Sequence, residues 1–433
     1  LADEVLTSSA KHSPAILKSL AERRIALGKT IEAEGAFDTV FSADGFSRVE
    51  GFYDGRVAGA DLSRPFRNIG GNLYGGYSLS RGDFPIYEDE NFTSTDGTIK
   101  VGALFSLLRD RTIDPRRAGV VDARLGLQAA DLELLLTRVG VQQRALRAYW
   151  NWVATGHQLT VYDELLRLAL DREDGLRRQV EDGSRARIFL TENAQNITRR
   201  ESLVLNARRD FRAAAFELSY YLRDDTGATR VPPATRLPDR QYAPEVAMPE
   251  SDAITPDLTR RPELLILYTA LERARQRIAL SENELKPRLD LDFRYAYGLG
   301  DPGEGGPSRA SEDVIVGLTV EVPLQRRQAK GRLAEARARR EALEFERRGL
   351  EDQIELELQS ILLDLGAARE LDVLRNLDGD QHVGGPALGD GHLLLLKGGP
   401  VPGIASHADG VGVRTLTGVL DGQRHLDGLA GLG

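Results

Sequence analysis

The stretch RLDLDFRYAYG at positions 288–298 alternates apolar and polar residues with a period of two. Its apolar residues share one parity, and they are Leu289, Leu291, Phe293, Tyr295 and Tyr297. Successive side chains of a β-strand point to opposite faces, so the pattern predicts a strand with one apolar and one polar face. After a turn rich in Gly, Pro and Ser at 301–311, the alternation returns in DVIVGLTVEV at 313–322. The two stretches predict a β-hairpin with strands at about 288–300 and 312–323.

Two environments fit this hairpin. Strands of about ten residues have the length that a tilted strand needs to cross a membrane, but a half-buried hairpin of a soluble protein shows the same alternation. In a membrane the polar face would line a lumen, and the candidate lumen-lining residues are Arg288, Asp290, Asp292, Arg294, Thr319 and Glu321. In a soluble sheet the same side chains only contact water.

A weaker copy of the same plan occurs upstream. Residues 35–50 and 70–84 predict a second pair of strands. Each pair follows a helix with an early proline, Pro14 in one and Pro262 in the other. Both helices carry the tripeptide Ile-Ala-Leu about ten residues before the strands begin, which indicates an internal repeat.

Each strand pair is followed by an arginine-bearing turn, at 107–111 and at 322–327, and then by a long helix. The chain is therefore predicted to hold two structural repeats of helix, strand, strand and long helix. The first occupies residues 1–230, and the second, which is incomplete, occupies residues 259–370. A Pro-rich linker at 231–258 joins them.

The long helix of the first repeat is predicted to turn back on itself. Helical periodicity covers about 119–182, and after a turn at Gly183 and Ser184 a second helix continues to about 223. Apolar residues recur at spacings of three, four and seven, which is typical of a coiled coil that packs lengthwise. The predicted seam is Val121, Leu125, Leu132, Leu135, Val139, Leu146, Trp150 and Val153. The helical hairpin at 119–223 is therefore predicted to be a rod about 96 Å long.

Composition argues against several functional classes. Lys and Arg number 57 and Asp and Glu number 66, so no basic surface for nucleic acid is indicated. The chain has no Cys, which excludes disulfides and thiolate ligands. No apolar run is long enough for a transmembrane helix, so contact with a membrane would be made through strands. No catalytic motif is recognisable, and we expect neither an enzyme nor a cofactor.

Four stretches carry a family resemblance, and they are RPELL at 261–265, NELKPRL at 283–289, VGLTVEVPL at 316–324 and RQAKGR at 327–332. Through them the chain resembles the TolC-like outer-membrane efflux protein family, over about residues 1–370. The resemblance implies a mainly α-helical fold with a β-barrel portion. It implies a homotrimer, in which four strands per chain close a twelve-stranded outer-membrane β-barrel and the helices form a coiled-coil α-barrel across the periplasm. An open sheet edge in hydrocarbon leaves backbone groups unpaired, and this also requires several copies to close the barrel.

The function implied by the resemblance is passive export in a tripartite efflux pump or a type I secretion system. Its partners would be a periplasmic membrane-fusion adaptor, an inner-membrane transporter and outer-membrane lipid. Its location would be the outer membrane of a Gram-negative-type envelope with a periplasmic extension, although no signal peptide is present in the sequence from Leu1. Two other functions stay open, namely a soluble periplasmic coiled-coil adaptor or scaffold and a truncated, non-functional member of the family.

The candidate contact for the adaptor is the tip of the helical hairpin. It is formed by Gly183, Ser184, Arg185 and Arg187. The Asp that usually follows this turn in the family is replaced by IFLTE at 188–192. An ordinary polar turn is the alternative interpretation.

Residues 371–433 depart from this pattern. They are rich in Gly, contain no Glu, and include His382, His392, His407 and His425. These His residues lack the short spacings of metal ligands on one element, so we expect no metal site. The segment is predicted to be either frameshifted or a genuinely disordered tail.

In both cases the helix at 325–370 lacks a returning partner helix. Its predicted apolar seam is Leu333, Ala336, Leu343, Leu350, Ile354, Leu358, Ile361 and Leu365. With that seam partly exposed to water, the chain is expected to aggregate or misassemble.

Overall fold

The computed structural model describes residues 1–239, 258–302 and 312–381, in which α-helix predominates and one antiparallel sheet is present. The α-helices of these ranges are α1 (Ala2–His12), α2 (Pro14–Glu34), α3 (Pro115–Glu181), α4 (Ile188–Ser219), α5 (Pro262–Glu284) and α6 (Arg327–Gln381). The strands are β1 (Val40–Ser47), β2 (Arg56–Pro65), β3 (Gly71–Arg81), β4 (Thr98–Ser106), β5 (Arg288–Gly298) and β6 (Glu312–Glu321).

Two compact units divide the chain, Leu1–Asp364 and Leu365–Gly433. The sheet and helices α1 to α5 belong to the first unit, and the described part of the second is the end of α6. Most of the predicted tail, with its four His residues, lies outside the described residues, as does most of the predicted linker.

The six strands form a single sheet in chain order, and every neighbouring pair is antiparallel. Helices α2 and α5 end just before β1 and β5, while β4 and β6 lead directly into α3 and α6. Because neighbouring antiparallel strands alternate in direction, these four helices all meet the same end of the sheet. The turn between β2 and β3 lies at this end too, where Gly70 N donates a hydrogen bond to Arg111 O at 3.1 Å.

The number of strands corrects the prediction of four per chain, because the sheet has six. Strand β2 was missed because its sequence, RVAGADLSRP, is mostly small or polar and ends in proline, which blurs the alternation. Strand β4, TIKVGALFS, was missed because Leu104 interrupts its polar parity. As a result β1 pairs with β2, and the predicted strand at 70–84 pairs instead with β2 and β4.

The long helix α3 begins where the sequence provides a cap. Asp114 Oδ1 accepts a hydrogen bond from Arg117 N at 2.9 Å, and Pro115 occupies the first turn, where no helical hydrogen bond needs its nitrogen. At 67 residues α3 is about 100 Å long, and it packs against α1, α2, α4 and α5. A helical hairpin is therefore present, with α4 as its returning helix.

The buried face of α3 differs from the predicted seam. The core that joins α1, α3 and α4 includes Val5, Ala145, Ala148, Trp152 and Leu218. Of the predicted seam, Val153 is buried, but Val139 and Trp150 are exposed. Apolar residues occur on more than one face of α3, so their spacing alone did not identify the face that packs within the chain.

Helix α6 continues beyond its predicted end at about 370, as far as Gln381. Its predicted seam is only partly covered, since Leu333, Ala336 and Ile354 are buried whereas Ile361 is exposed. Among the described residues, no helix combines the length and the apolar character needed to cross a membrane.

Candidate functional site: the two faces of the sheet and the helical tip

The polar face of the sheet collects the six predicted lumen-lining residues. In the β5–β6 register Arg288 lies opposite Glu321, and Asp290 lies opposite Thr319. Asp292 and Arg294 continue the same parity along β5. The register therefore places all six predicted residues on one face.

Ion pairs and hydrogen bonds organise this face. Arg288 Nε lies 2.5 Å from Asp290 Oδ2, and an Arg288 guanidinium nitrogen lies 3.8 Å from Glu321 Oε2. Asp292 accepts a hydrogen bond from the Tyr74 hydroxyl at 2.7 Å and pairs with Arg294 at 3.3 Å. Tyr74 was not among the predicted lining residues, although it shares the polar parity of β3.

Asp290 differs from its neighbours because it is only 3% exposed. Its Oδ1 atom has no hydrogen-bond partner within the described part of the chain. Burial of a carboxylate is unfavourable unless it is paired, so Asp290 depends on Arg288. Within the chain Asp290 is therefore buried and does not present a free carboxylate on the polar face.

The strands missed in the sequence add charge to the polar face. Asp61 of β2 and Lys100 of β4 flank Gly76 of β3 in one row of the register, and Asp44 of β1 follows on the same parity. A side chain at Gly76 would be crowded, since a Cβ atom at this position would lie 2.8 Å from the backbone oxygen of Ala60. Including Asp313, which shares this row, the strands present six carboxylates against three basic groups, an excess of three negative charges per chain.

The opposite face is apolar along the middle of the sheet, and its charged residues, Arg56, Arg64, Arg81 and Glu312, lie close to the strand ends. One row of directly opposed residues runs Phe41, Leu62, Gly75, Val101, Tyr295 and Val314, from β1 to β6. Within the described residues the large side chains of this row are exposed, and Phe41 is 66% and Val314 58% exposed. A continuous exposed apolar surface of this extent indicates contact with lipid or with another protein.

Hydrogen bonds join the end of α5 to the turn between β4 and α3. Asn283, which is buried at the end of α5, donates to Asp110 Oδ1 at 2.8 Å and accepts from Asp110 N at 3.1 Å. Arg117 donates to Asp110 O at 2.6 Å. Asp110 has a φ of 64°, and Arg326, in the other arginine-bearing turn, has a φ of 50°. Each turn from strand to helix therefore contains one residue in the left-handed region.

The four predicted tip residues lie on one turn at the far end of α3. Gly183 has a φ of 75°, and Ser184 N and Oγ both donate to Gln179 O, at 2.9 and 2.8 Å, which closes the helix end. The Arg185 guanidinium lies 5.0 Å from the centre of the Phe189 ring. Ile188 and Phe189, from the IFLTE stretch at 188–192, are exposed beside it.

Charged pairs also join the helices that meet the sheet. Arg273 of α5 makes two hydrogen bonds to Asp122 of α3, at 2.7 and 2.8 Å. These bonds hold the pKa of the Asp122 carboxyl below its usual value and raise the pKa of Arg273. On the other side of α3, Arg124 donates to Glu34 of α2 at 2.8 Å and lowers the pKa of that carboxyl in the same way.

Solved structures share this architecture. The outer membrane protein VceC from Vibrio cholerae has a TM-score of 0.58 at 14% identity, covering 88% of this chain and 83% of that one. The MtrE outer membrane channel of Neisseria gonorrhoeae, solved in its open state, has a TM-score of 0.55 at 13% identity, covering 88% and 76%. The CmeC outer membrane channel of Campylobacter jejuni has a TM-score of 0.52 at 12% identity, covering 81% and 68%.

No protein-family model matches the chain, and no curated protein matches its sequence. At identities of 12 to 14% the likeness to solved structures establishes the fold. It confirms a TolC-like fold that is mostly helical and carries an antiparallel sheet.

Proposed function

We propose that this chain, whose fold is TolC-like, forms the outer-membrane duct of an export machine and carries out no chemistry itself. The observation that supports this most is the division of the sheet into an apolar and a polar face across all six strands. Such a sheet suits a wall between lipid and an aqueous lumen, because lipid-facing and lumen-facing residues alternate along every strand of a transmembrane barrel.

The free edges of the sheet favour assembly from several copies. β1 and β6 are the outer strands, and each has a neighbour on one side only. Unpaired backbone groups in hydrocarbon cost several kcal/mol each, so the edges must pair with other copies once the sheet is in a membrane. We propose a homotrimer, in keeping with the family that the chain resembles.

The helical part fits a tunnel that continues from the barrel. Helix α3, about 100 Å long, leaves the sheet at the same end as α2, α5 and α6. We place this part in the periplasm and the tip residues Gly183, Ser184, Arg185 and Arg187 against a periplasmic adaptor. The remaining partner is an inner-membrane transporter, of either a tripartite efflux pump or a type I secretion system.

A member of the same fold that does not assemble is the second candidate. The observation that favours it is on α6, where Leu356, Ile361 and Leu363 are exposed. A helix with several uncovered apolar residues is prone to misassembly.

The test is expression of the chain, fused to a signal peptide, in a Gram-negative host. The duct is expected to fractionate with outer membranes, to run as a trimer on unheated gels, and to conduct ions in planar bilayers. Recovery as a soluble periplasmic protein would point to the adaptor or scaffold function instead. Recovery only as insoluble aggregate would point to the non-assembling member.

A further inference from the structure

The β1–β2 hairpin has the features of a wall segment rather than of a surface loop. The ladder between β1 and β2 runs the whole length of β1, from Val40 opposite Ser63 to Ser47 opposite Arg56. β2 in turn pairs with β3 along its whole length, from Arg56 opposite Arg81 to Pro65 opposite Asn72. All six strands are 8 to 11 residues long, close to the length of a membrane-crossing strand.

In its middle rows the hairpin also continues both faces of the sheet, whereas Val40, Phe46 and Val57 place apolar residues on its polar side nearer the strand ends. On the apolar face Phe41 and Leu62 extend the row of Val101, Tyr295 and Val314 without a change of parity. On the polar face Ser42 and Asp61 extend the row of Lys100 and Asp313 in the same way. A hairpin that lay in water, outside the wall, would have no need of an apolar face in register with the lipid band.

We propose that three copies close an 18-stranded barrel through β1 of one copy and β6 of the next, and that the duct therefore takes bulky hydrated cargo. This inference rests on the proposed function and specifies its class of substrate by size. With strands about 4.8 Å apart and tilted by about 40°, 18 strands give a wall about 36 Å across, whereas twelve give about 24 Å. A layer of side chains about 5 Å deep leaves open bores of about 26 and 14 Å respectively.

The helices that meet the sheet are consistent with the wider wall. Each chain brings α2, α3, α5 and α6 to one end of the sheet, so a trimer places twelve helices there. At about 8 to 10 Å between axes, a ring of twelve helices has a circumference of about 96 to 120 Å. The perimeter of an 18-stranded wall is about 113 Å, which lies within this range.

A size-exclusion measurement on the intact chain tests the bore. Polyethylene glycols of graded hydrated diameter are added to one side of a bilayer that holds single channels, and each side is tested in turn. Polymer that enters the barrel mouth lowers the current even where the far end of the tunnel is narrow. Entry from the side of the strand turns is expected for polymers up to about 26 Å across.

A deletion provides the matched comparison. Removal of residues 40–67 takes out the whole β1–β2 hairpin and leaves Asn68, Gly70 and Gly71 in place at the start of β3. Because the hairpin begins and ends at the helix end of the sheet, every later strand keeps its direction. The cut-off of this variant is expected to fall to about 14 Å, while a variant shortened only in the turn at 49–53 should keep the full cut-off.

Cysteine cross-linking keeps the inference testable if the deletion does not fold. The chain has no Cys of its own, so each introduced pair is the only one present. Ala43→Cys on β1 and, separately, Tyr77→Cys on β3 are each combined with Glu312→Cys, Val314→Cys or Val316→Cys on β6. If copies join through β1 and β6, oxidation should link them through Ala43→Cys and not through Tyr77→Cys. The edge of β3 that would have to meet β6 is already paired with β2.

The outcomes separate the two claims. Channels with a cut-off near 14 Å and cross-links through Tyr77→Cys would overturn the 18-stranded wall and leave the export duct standing. A chain that never conducts and never cross-links between copies would overturn both.

Discussion

Charge placed on the two sides of one strand should have opposite consequences for insertion. Val316 and Gly317 are neighbours at the middle of β6, so they lie at the same depth but on different faces. Val316 lies opposite Phe293 on the apolar face, and Gly317 lies opposite Asp292 on the polar face. We therefore compare Val316→Arg with Gly317→Arg, which add the same side chain one residue apart.

The magnitude follows from the proposed homotrimer. An arginine on the lipid face near the midplane costs about 2 to 4 kcal/mol, so three copies lose about 6 to 12 kcal/mol per trimer. At position 317 an added Cβ atom would lie 3.8 Å from Asp292 Cβ, an ordinary contact, and the guanidinium would gain a carboxylate partner. We expect Val316→Arg to abolish the membrane-inserted trimer and Gly317→Arg to keep it.

The assay is the yield of heat-modifiable trimer in the outer-membrane fraction, with total expression measured in parallel. Equal yields from the two variants would refute the assignment of the faces. The reverse order, with only Gly317→Arg excluded from the membrane, would mean that the faces are exchanged.

Three further predictions concern the junction, the helices and the lumen. Asn283→Ala leaves a buried turn without its reciprocal hydrogen bonds and should lower the free energy of unfolding by about 1 to 3 kcal/mol, measured by denaturant titration against an exposed Asn→Ala control. Because Arg273 depresses the pKa of Asp122, the stabilisation by this pair is present at neutral pH and is lost as pH falls through the lowered pKa. Asp122→Asn should therefore reduce stability at pH 7, by about 1 kcal/mol or less because the pair is partly exposed, and the difference should shrink as the pH falls through the lowered pKa of Asp122. Asp44→Asn combined with Asp61→Asn removes two of the three excess negative charges per chain and should lower the ratio of cation to anion permeability, read from the reversal potential in a salt gradient; an unchanged ratio would place these residues outside the lumen.

The parts of the fold that the sequence predicted well are those where side-chain size makes the alternation clear. β5 and β6 carry aromatic and β-branched residues on one parity, and both were predicted close to their observed bounds. β2 has mainly Ala, Gly and polar residues, and its strand conformation depends on pairing with β1 and β3 on its two sides. Strand formation that depends on neighbours distant in sequence is not visible in a local pattern.

The sequence also predicted the candidate site only in part. Parity placed Arg288, Asp290 and their four companions on one face, but it could not indicate that Asp290 is buried. The bond between Tyr74 and Asp292 joins residues 218 positions apart, and no spacing in the sequence predicts it. The sequence indicates Ile188 and Phe189 only as a departure from the family pattern. Their exposure at the tip is seen in the structure.

The β1–β2 hairpin shows the smallest number of strands by which a barrel built from such chains can widen. A strand pair that leaves the helix end of the sheet and returns to it adds two strands to the wall, and it moves no helix to the other side of the membrane. One added strand would instead carry α3 and everything after it to the opposite compartment. In a trimer the circumference of the barrel therefore changes by six strands at a time. Chains with the same arrangement of helices should therefore form barrels of discrete diameters, and successive diameters should differ by one hairpin per copy.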